Sequence, residues 1–174
     1  SIFSSAYEDV EGTNYFPDWG QGGQGSSWAM FDLAGDEILQ YVNLSYQGIA
    51  LAEGTTVDVS GMEFLHVDVW TTDAVTNIET NLINNAGGTV TQTPISQPLL
   101  AAEWTSLDIP ISDYTDQGQV VSDIFQLMFV GEPSAAGTVF IDNIYFHKSP
   151  SGPSPLIGSW QVTSIGVGPT QGAT

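Results

Sequence analysis

The segment Phe64–Trp70, FLHVDVW, decides the fold class of this chain. Apolar residues recur at every second position in it, and this period of two is typical of a β-strand that is buried on one side. We predict that three of these side chains face the core: Leu65, Val67 and Val69. The side chains between and after them then point to the opposite face of the sheet: His66, Asp68 and Trp70.

The same alternation recurs between turn signals along the rest of the chain. It predicts further strands at Ser27–Phe31, Ile38–Leu44, Ile49–Val59, Asn77–Asn84, Gly88–Gln92, Thr105–Ile109, Ser122–Val130 and Thr138–Phe146. The inward residues predicted for the last two strands are Phe125, Leu127, Phe129, Val139, Ile141 and Ile144. About eight to ten short strands, with almost no helical pattern, are typical of a two-sheet sandwich. The predicted fold class is therefore all-β, a β-sandwich of the jelly-roll type.

The composition also suggests where the domain ends. We expect residues 1–148 to form one folded domain, which we also expect to be monomeric. The segment 149–155, SPSGPSP, predicts a stiff and extended linker. Residues 156–174 are too few to fold alone, so we interpret them as a tail on the sandwich or as the start of a truncated next domain. A larger multidomain protein is the predicted context.

Charge is the unusual feature of the composition. The chain has 20 Asp and Glu residues against a single basic residue, Lys148, and its formal net charge is −19. Nucleic acids are excluded as partners because their phosphates require Lys and Arg, and anionic glycans and acidic membranes are disfavoured for the same reason. No apolar run approaches the ~18 residues of a membrane span, so we expect no membrane insertion. Neutral ligands and cations remain.

Acidic residues occur near both ends of the predicted domain, in YEDVEGTN at residues 7–14 and in FIDNIYF at residues 140–146. The first and last strands of a sandwich commonly pair, so these carboxylates should come close together. Oxygen ligands of this kind suit Ca²⁺, which would also relieve their mutual repulsion. The alternative is a solvated acidic surface in which Asp142 serves a turn.

A second group of residues suits sugar recognition, because sugar rings stack on aromatic side chains while polar side chains contact the hydroxyls. The outward positions of the predicted strands supply both kinds: His66, Asp68, Trp70, Gln126, Met128 and Glu79. Residues in or beside loops are predicted to border the same concave face: Trp19, Gln21, Tyr46 and Gln47. The alternative is that the tryptophans are ordinary core residues: Trp19, Trp28, Trp70 and Trp104.

Catalysis is not expected from this sequence. The chain has no cysteine, and its two histidines, His66 and His147, lie far apart in the sequence. A Ser-His-Asp triad that uses His66 would lack the strand–turn–helix nucleophile elbow. A glycosidase needs two carboxylates that face each other across a cleft, and among 20 acidic residues some pair meets any distance by chance. We therefore predict that the domain is not an enzyme.

Several motifs together resemble a known family. These are YEDVEG at residues 7–12, WGQ at 19–21 and FIDNIYF at 140–146, and the combination resembles jelly-roll carbohydrate-binding modules of families 4, 16 and 22. The segments NLSYQG (43–48), VDVSGMEFLHVD (57–68) and WTSLDIP (104–110) resemble modules from secreted glycan-utilisation systems of marine Bacteroidetes. The resemblance extends over residues 3–148.

This resemblance implies a function and a metal. It implies non-catalytic binding of a neutral polysaccharide, most directly a β-glucan such as laminarin, by a secreted or cell-surface protein that brings an attached enzyme to the polymer. It also implies a structural Ca²⁺ between the N-terminal strand and the last strand, with these ligands by position: Asp142, Asp9, Asn14 and Glu8. Ser5 stands where related sequences often have an acidic residue. The alternative function is a calcium-stabilised structural or adhesion spacer.

Overall fold

A computed structural model describes residues 1–72 and 74–149. The strands in these residues are β1 (Ser27–Leu33), β2 (Asp36–Val42), β3 (Tyr46–Ala50), β4 (Phe64–Trp70), β5 (Asn77–Ala86), β6 (Thr89–Pro98), β7 (Trp104–Pro110), β8 (Ile124–Glu132) and β9 (Val139–His147). Two short helices accompany them, a 3₁₀ helix (Gln21–Gln24) and α1 (Ile111–Thr115). No helix in this part of the chain is long and apolar enough to cross a membrane. Apart from Ser149, the predicted linker and tail lie outside the described residues.

The strands form two antiparallel sheets. A five-stranded sheet has the order β1-β2-β9-β4-β7, and a four-stranded sheet has the order β3-β8-β5-β6. The all-β sandwich predicted from the alternation is therefore confirmed. The N-terminal segment joins the five-stranded sheet, because Phe3 forms an antiparallel bridge with Ile144 at the end of β9. This is the expected pairing of the two ends of the domain.

The core lies between the sheets and follows the predicted alternation. The inward residues of β4 have no exposed surface: Leu65, Val67 and Val69. Those predicted for β9 are equally buried: Val139, Ile141 and Ile144. Each large apolar side chain of this kind stabilises the fold by about 1.5–3 kcal/mol relative to an exposed one.

The prediction for β8 was wrong at Phe125. The register of β8 against β5 shifts between Ile83 and Asn84, which face Gln126 and Ile124 respectively. This bulge inserts one extra residue into β8. As a result, Ile124 points into the core and has 0% exposure, whereas Phe125 is only half-buried. Leu127 and Phe129, which follow the bulge, are buried as predicted.

The bounds of two strands differ most from the prediction. The predicted strand Ile49–Val59 is wrong, because β3 ends at Ala50 and the chain then turns through Gly54, whose φ of +78° suits a residue without a Cβ. β6 extends to Pro98, well past the predicted end. β6 is an edge strand with β5 as its one neighbour. Its unpaired edge tolerates Pro94 and Pro98, which have no N–H to donate.

Candidate ligand-binding face

The outward side of the five-stranded sheet carries aromatic and polar side chains in rows that cross the strands. We call this side the outer five-strand face. Directly opposite residues of β7, β4 and β9 share each row: Trp104 with Trp70 and Phe140; Ser106 with Asp68 and Asp142; Asp108 with His66 and Tyr145; Pro110 with Phe64 and His147. Along β4 the rows extend over about 20 Å, at ~3.3 Å per residue.

We call the first row, which consists of Trp104, Trp70 and Phe140, the aromatic row. It contributes to an apolar recess of about 320 Å³. Its lining residues are Phe31, Leu33, Ile38, Trp70, Trp104 and Phe140. The Phe140 ring is central, with edge contacts to Trp70 at 5.6 Å and to Phe31 at 5.2 Å between ring centroids. Trp104 remains 42% exposed, so part of its ring is open to a ligand. An aromatic recess on a solvent-facing sheet can stack the apolar face of a flat ring.

Carboxylates follow directly beside the aromatic row. A second recess of about 260 Å³ is lined by Leu33, Asp36, Asp68, Trp104, Asp142 and Asn143. Asn143 donates its side-chain N–H to Asp68 Oδ2 at 2.9 Å and its backbone N–H to Asp142 Oδ1 at 2.7 Å. It sits at the register shift between β4 and β9 with φ +53°, a left-handed conformation that asparagine adopts more readily than most residues.

The charges in this second recess favour a neutral ligand group, which can form hydrogen bonds there, over an anionic group, which would be repelled. Burial raises the pKa of Asp142. The hydrogen bond from the Asn143 backbone opposes this change, and the neighbouring charges of Asp36 and Asp68 raise the pKa further. A hydroxyl that donates to this group would relieve part of its lost hydration.

The third and fourth rows together contain a hydrogen-bonded group of two histidines and one aspartate. Asp108 Oδ1 is 2.7 Å from His66 Nδ1 and 2.9 Å from His147 Nε2. The His66 ring stacks on Tyr145 with centroids 4.5 Å apart and a 16° angle between the planes. Partial burial raises the pKa of Asp108, but the hydrogen bonds and charges of the two histidines outweigh it and hold that pKa below its usual range.

The structure divides the predicted ligand-binding residues between two opposite faces of the sandwich. Trp70, His66 and Asp68 share the outer five-strand face. Tyr46 and Gln126 instead point outward from the four-stranded sheet, as do Met128 and Glu79. A ligand on one sheet face therefore contacts only one of the two groups, in contrast to the single concave face expected from the sequence.

Trp19 and Gln47 have structural contacts in the same region. The Trp19 ring covers Gly48, where an added Cβ would come within 2.1 Å of the ring, and the Tyr46 hydroxyl donates to the Trp19 carbonyl at 2.8 Å. Gln47, predicted beside the ligand, is 1% exposed and points into the sandwich. Its Oε1 accepts a hydrogen bond from buried Gln21 at 2.8 Å. This pair of glutamines holds the loop that carries Trp19.

Among the described residues, the three carboxylates predicted to bind calcium (Asp142, Asp9 and Glu8) do not form a group whose oxygen atoms all lie within 4.8 Å of one another. Asp142 lies on the outer five-strand face, whereas Glu8 and Asn14 are exposed, and the Asn14 side-chain oxygen accepts the Phe16 N–H. Asp9 differs from the others: its Oδ2 accepts from the Tyr15 hydroxyl at 3.4 Å, and its buried Oδ1 has no hydrogen-bond partner among the described residues. One carboxylate oxygen of the predicted set is thus available to a cation.

Sequence reasoning missed several residues of this face. The segment Trp104–Pro110 alternates as clearly as β4 does, with Leu107 and Ile109 in the core, and this pattern would have placed Trp104 and Asp108 on the outward side. Phe31 and Phe140 carry no such signal. Phe31 faces outward on a strand whose residues are almost all exposed, and Phe140 lies in the apolar run VFI of β9.

Solved structures with the same fold were found by comparison. No protein-family model and no curated protein matches the sequence. The family 30 carbohydrate-binding module of a cellulosomal cellulase of Clostridium thermocellum is similar, with a TM-score of 0.59 and 14% identity over 72% of this chain and 84% of that chain.

Two further modules are similar at a TM-score of 0.54 and 14% identity. The family 28 module, described as specific for non-crystalline cellulose, aligns over 83% of this chain and 92% of its own. The family 11 module of Clostridium thermocellum, solved with a β-1,3-1,4-mixed-linked tetrasaccharide, aligns over 80% and 85% respectively. The chain therefore has the β-sandwich fold of carbohydrate-binding modules, as its sequence motifs had suggested.

Proposed function

We propose that this domain binds a neutral polysaccharide on the outer five-strand face and catalyses no reaction on it. The observation that carries the proposal is the outward-facing aromatic row, in which Trp104 is exposed and Trp70 is partly buried, with carboxylates directly beside it. Trp70 and Trp104 can stack on the apolar faces of sugar rings, while Asp68, Asp142 and Asn143 offer hydrogen-bonding groups for the hydroxyls.

The negative charge of the second recess supports a neutral ligand. The two recesses share one wall at Leu33 and Trp104, and the second contains Asp36, Asp68 and Asp142. An anionic sugar in this recess would meet like charges with no Lys or Arg in its lining. A neutral sugar hydroxyl can instead donate to the carboxylate oxygens.

The structural neighbours support a β-linked glucose polymer as the ligand. One of them is described as specific for non-crystalline cellulose and another was solved with a β-1,3-1,4-linked tetrasaccharide. We propose a β-glucan, with laminarin as the first polymer to test. The domain would act outside the cell by holding an attached enzyme or the cell surface close to the polymer, so that a modest affinity raises the effective concentration of substrate.

Affinity electrophoresis tests this function directly. The protein is run in gels that contain laminarin, mixed-linkage β-glucan, xylan, mannan or alginate, beside a gel without polymer. We expect retardation by a neutral β-glucan and none by alginate, because alginate is anionic. If none of the neutral polymers retards the protein, the proposal is overturned in favour of a structural spacer.

We also propose that a calcium ion binds at Asp9 and stabilises the fold. The supporting observation is the buried Oδ1 of Asp9, which has no hydrogen-bond partner in the described part of the chain. The formal net charge of −19 also favours the binding of a cation. Ca²⁺ prefers carboxylate and carbonyl oxygens, and a bound ion would offset the cost of this unpaired atom.

Thermal melts of metal-free protein check the calcium proposal. Adding CaCl₂ at 100 times its Kd should stabilise the protein by about 2.7 kcal/mol, and the Tm should rise accordingly. The variant Asp9→Asn should lose this rise, whereas Asp58→Asn, an exposed carboxylate in another loop, should keep it. Identical melts of the unaltered protein with and without CaCl₂ would contradict the proposal.

A further inference from the structure

A cluster of potential metal ligands lies toward the opposite end of the outer five-strand face from the aromatic row. Both histidines of the chain meet there, His66 on β4 and His147 on β9, together with Asp108 on β7. β4 lies between β7 and β9 in the sheet, so its position brings these three distant segments together. Neither calcium nor glycan binding, as proposed above, requires this convergence.

The spacing of the three side chains suits a metal ion. Their ligand atoms all lie within 4.8 Å of one another, and across residues 1–72 and 74–149 no other three His, Asp or Glu side chains meet that condition. The Asp108 side chain is 55% exposed, so an ion can reach it from solvent. Tetrahedral ligands at ~2.1 Å from an ion are about 3.4 Å apart, so the present distances of 2.7 and 2.9 Å need only small side-chain movements.

An oxygen atom lies near the other ring nitrogen of each histidine. His66 Nε2 is 3.4 Å from Asp68 Oδ1, and His147 Nδ1 is 3.3 Å from the Lys148 carbonyl oxygen. Metal-binding histidines almost always donate their second N–H to a carboxylate or a backbone carbonyl, because this fixes the tautomer and the ring orientation. His147 has such a hydrogen bond, and His66 has the Asp68 carboxylate within ion-pair distance of its second nitrogen.

Aromatic neighbours also hold the two rings in place. His66 stacks on Tyr145, and His147 stacks on Phe64 with centroids 5.3 Å apart and a 25° angle between the planes. Ordered rings lose less conformational entropy when an ion binds. The ligand set is thus largely preorganised.

We propose that His66 Nδ1, His147 Nε2 and a carboxylate oxygen of Asp108 bind a zinc-type divalent transition-metal ion. Two imidazole nitrogens and one carboxylate oxygen are ligands that Zn²⁺ takes, whereas Ca²⁺ and Mg²⁺ prefer sites made of oxygen alone. Three protein ligands leave one coordination position of a tetrahedral ion for water or for a hydroxyl group of a ligand on the same face.

Isothermal titration of ZnCl₂ into metal-free protein tests the site. We expect one ion per chain, with a Kd at least tenfold weaker for His147→Gln and for Asp108→Asn. The Tm should rise with ZnCl₂ in the unaltered protein, and at the same ZnCl₂ concentration it should rise less in both variants. Asp108 is exposed, so its variant should fold normally, and circular dichroism of both variants verifies this.

Two controls distinguish specific zinc binding at these three residues from nonspecific attraction of cations to an acidic surface. Glu79→Gln removes a carboxylate from the opposite face of the sandwich and should leave zinc binding unchanged. CaCl₂ at the same concentration should not displace zinc. No binding by the unaltered protein, or an equal Kd in the histidine and aspartate variants, would overturn the proposal. No glycan is present in the titration, so its outcome does not depend on the proposed function.

Discussion

Replacing Trp70 with alanine should abolish retardation by the β-glucan while it leaves the fold intact. Trp70 on β4 is the middle residue of the aromatic row, between Trp104 on β7 and Phe140 on β9, and it faces away from the core. Truncation of a central aromatic contact commonly costs 2 kcal/mol or more, which is a loss of about 30-fold in affinity. Affinity electrophoresis measures the binding, and thermal melts measure the stability.

Variants on both faces make this result decisive. Trp104→Ala removes the other, more exposed tryptophan of the row and should weaken binding with little change in Tm. Gln126→Ala and Met128→Ala change the outward side of the four-stranded sheet and should have no effect on binding. Unchanged binding in Trp70→Ala, combined with a loss in the Gln126 variant, would move the site to the four-stranded sheet. A large drop in Tm would instead identify Trp70 as a core residue.

Replacing Gln47 with alanine should destabilise the protein by about 2–4 kcal/mol, from lost hydrogen bonds and from the cavity that remains. Its Nε2 donates to the carbonyl oxygens of Pro17 at 3.3 Å and Gly48 at 3.0 Å, and its Oε1 accepts from Gln21. Gln21 is itself fully buried, and its Oε1 accepts the Trp19 N–H at 2.6 Å. The substitution therefore leaves buried polar groups without partners.

Denaturant unfolding measures this effect through the midpoint, and an unchanged slope would show that the unfolding transition is otherwise the same. Gln24→Ala is the matched control, because Gln24 ends the same 3₁₀ helix as Gln21 but is exposed. Equal stability of the two variants would contradict the structural role. Lost glycan binding at unchanged stability would instead make Gln47 a ligand-binding residue, as the sequence had suggested.

The parts of the fold that depend on local alternation could be predicted from the sequence. In β4 each residue's face follows from the period of two, so Trp70, His66 and Asp68 were correctly placed on one outward face. β9 was predicted equally well up to Ile141, because a branched apolar residue marks every inward position there. Local patterns fail at a bulge, which is why Phe125 was assigned to the wrong side of β8.

The parts that depend on strand pairing could not be predicted in this way. β4 and β8 alternate in the same manner, yet they belong to different sheets, so Gln126 and Trp70 point in opposite directions. His66 and His147 look unrelated in the sequence, and only the position of β4 between β7 and β9 brings both within 3 Å of Asp108. Burial of Gln47 likewise depends on its partner Gln21, which begins the 3₁₀ helix and is distant in the sequence.

The two prolines of β6 affect whether neighbouring copies of the domain can associate through their sheet edges. β6 is the outer edge of the four-stranded sheet, and an edge with a full row of free N–H groups can recruit a strand from a neighbouring molecule. Pro94 and Pro98 interrupt that row, because neither has a hydrogen to donate. If many copies bind side by side on one polymer, as the proposed function implies, their local concentration becomes very high. This edge then disfavours sheet-to-sheet association, so the copies can stay separate while they share the same support.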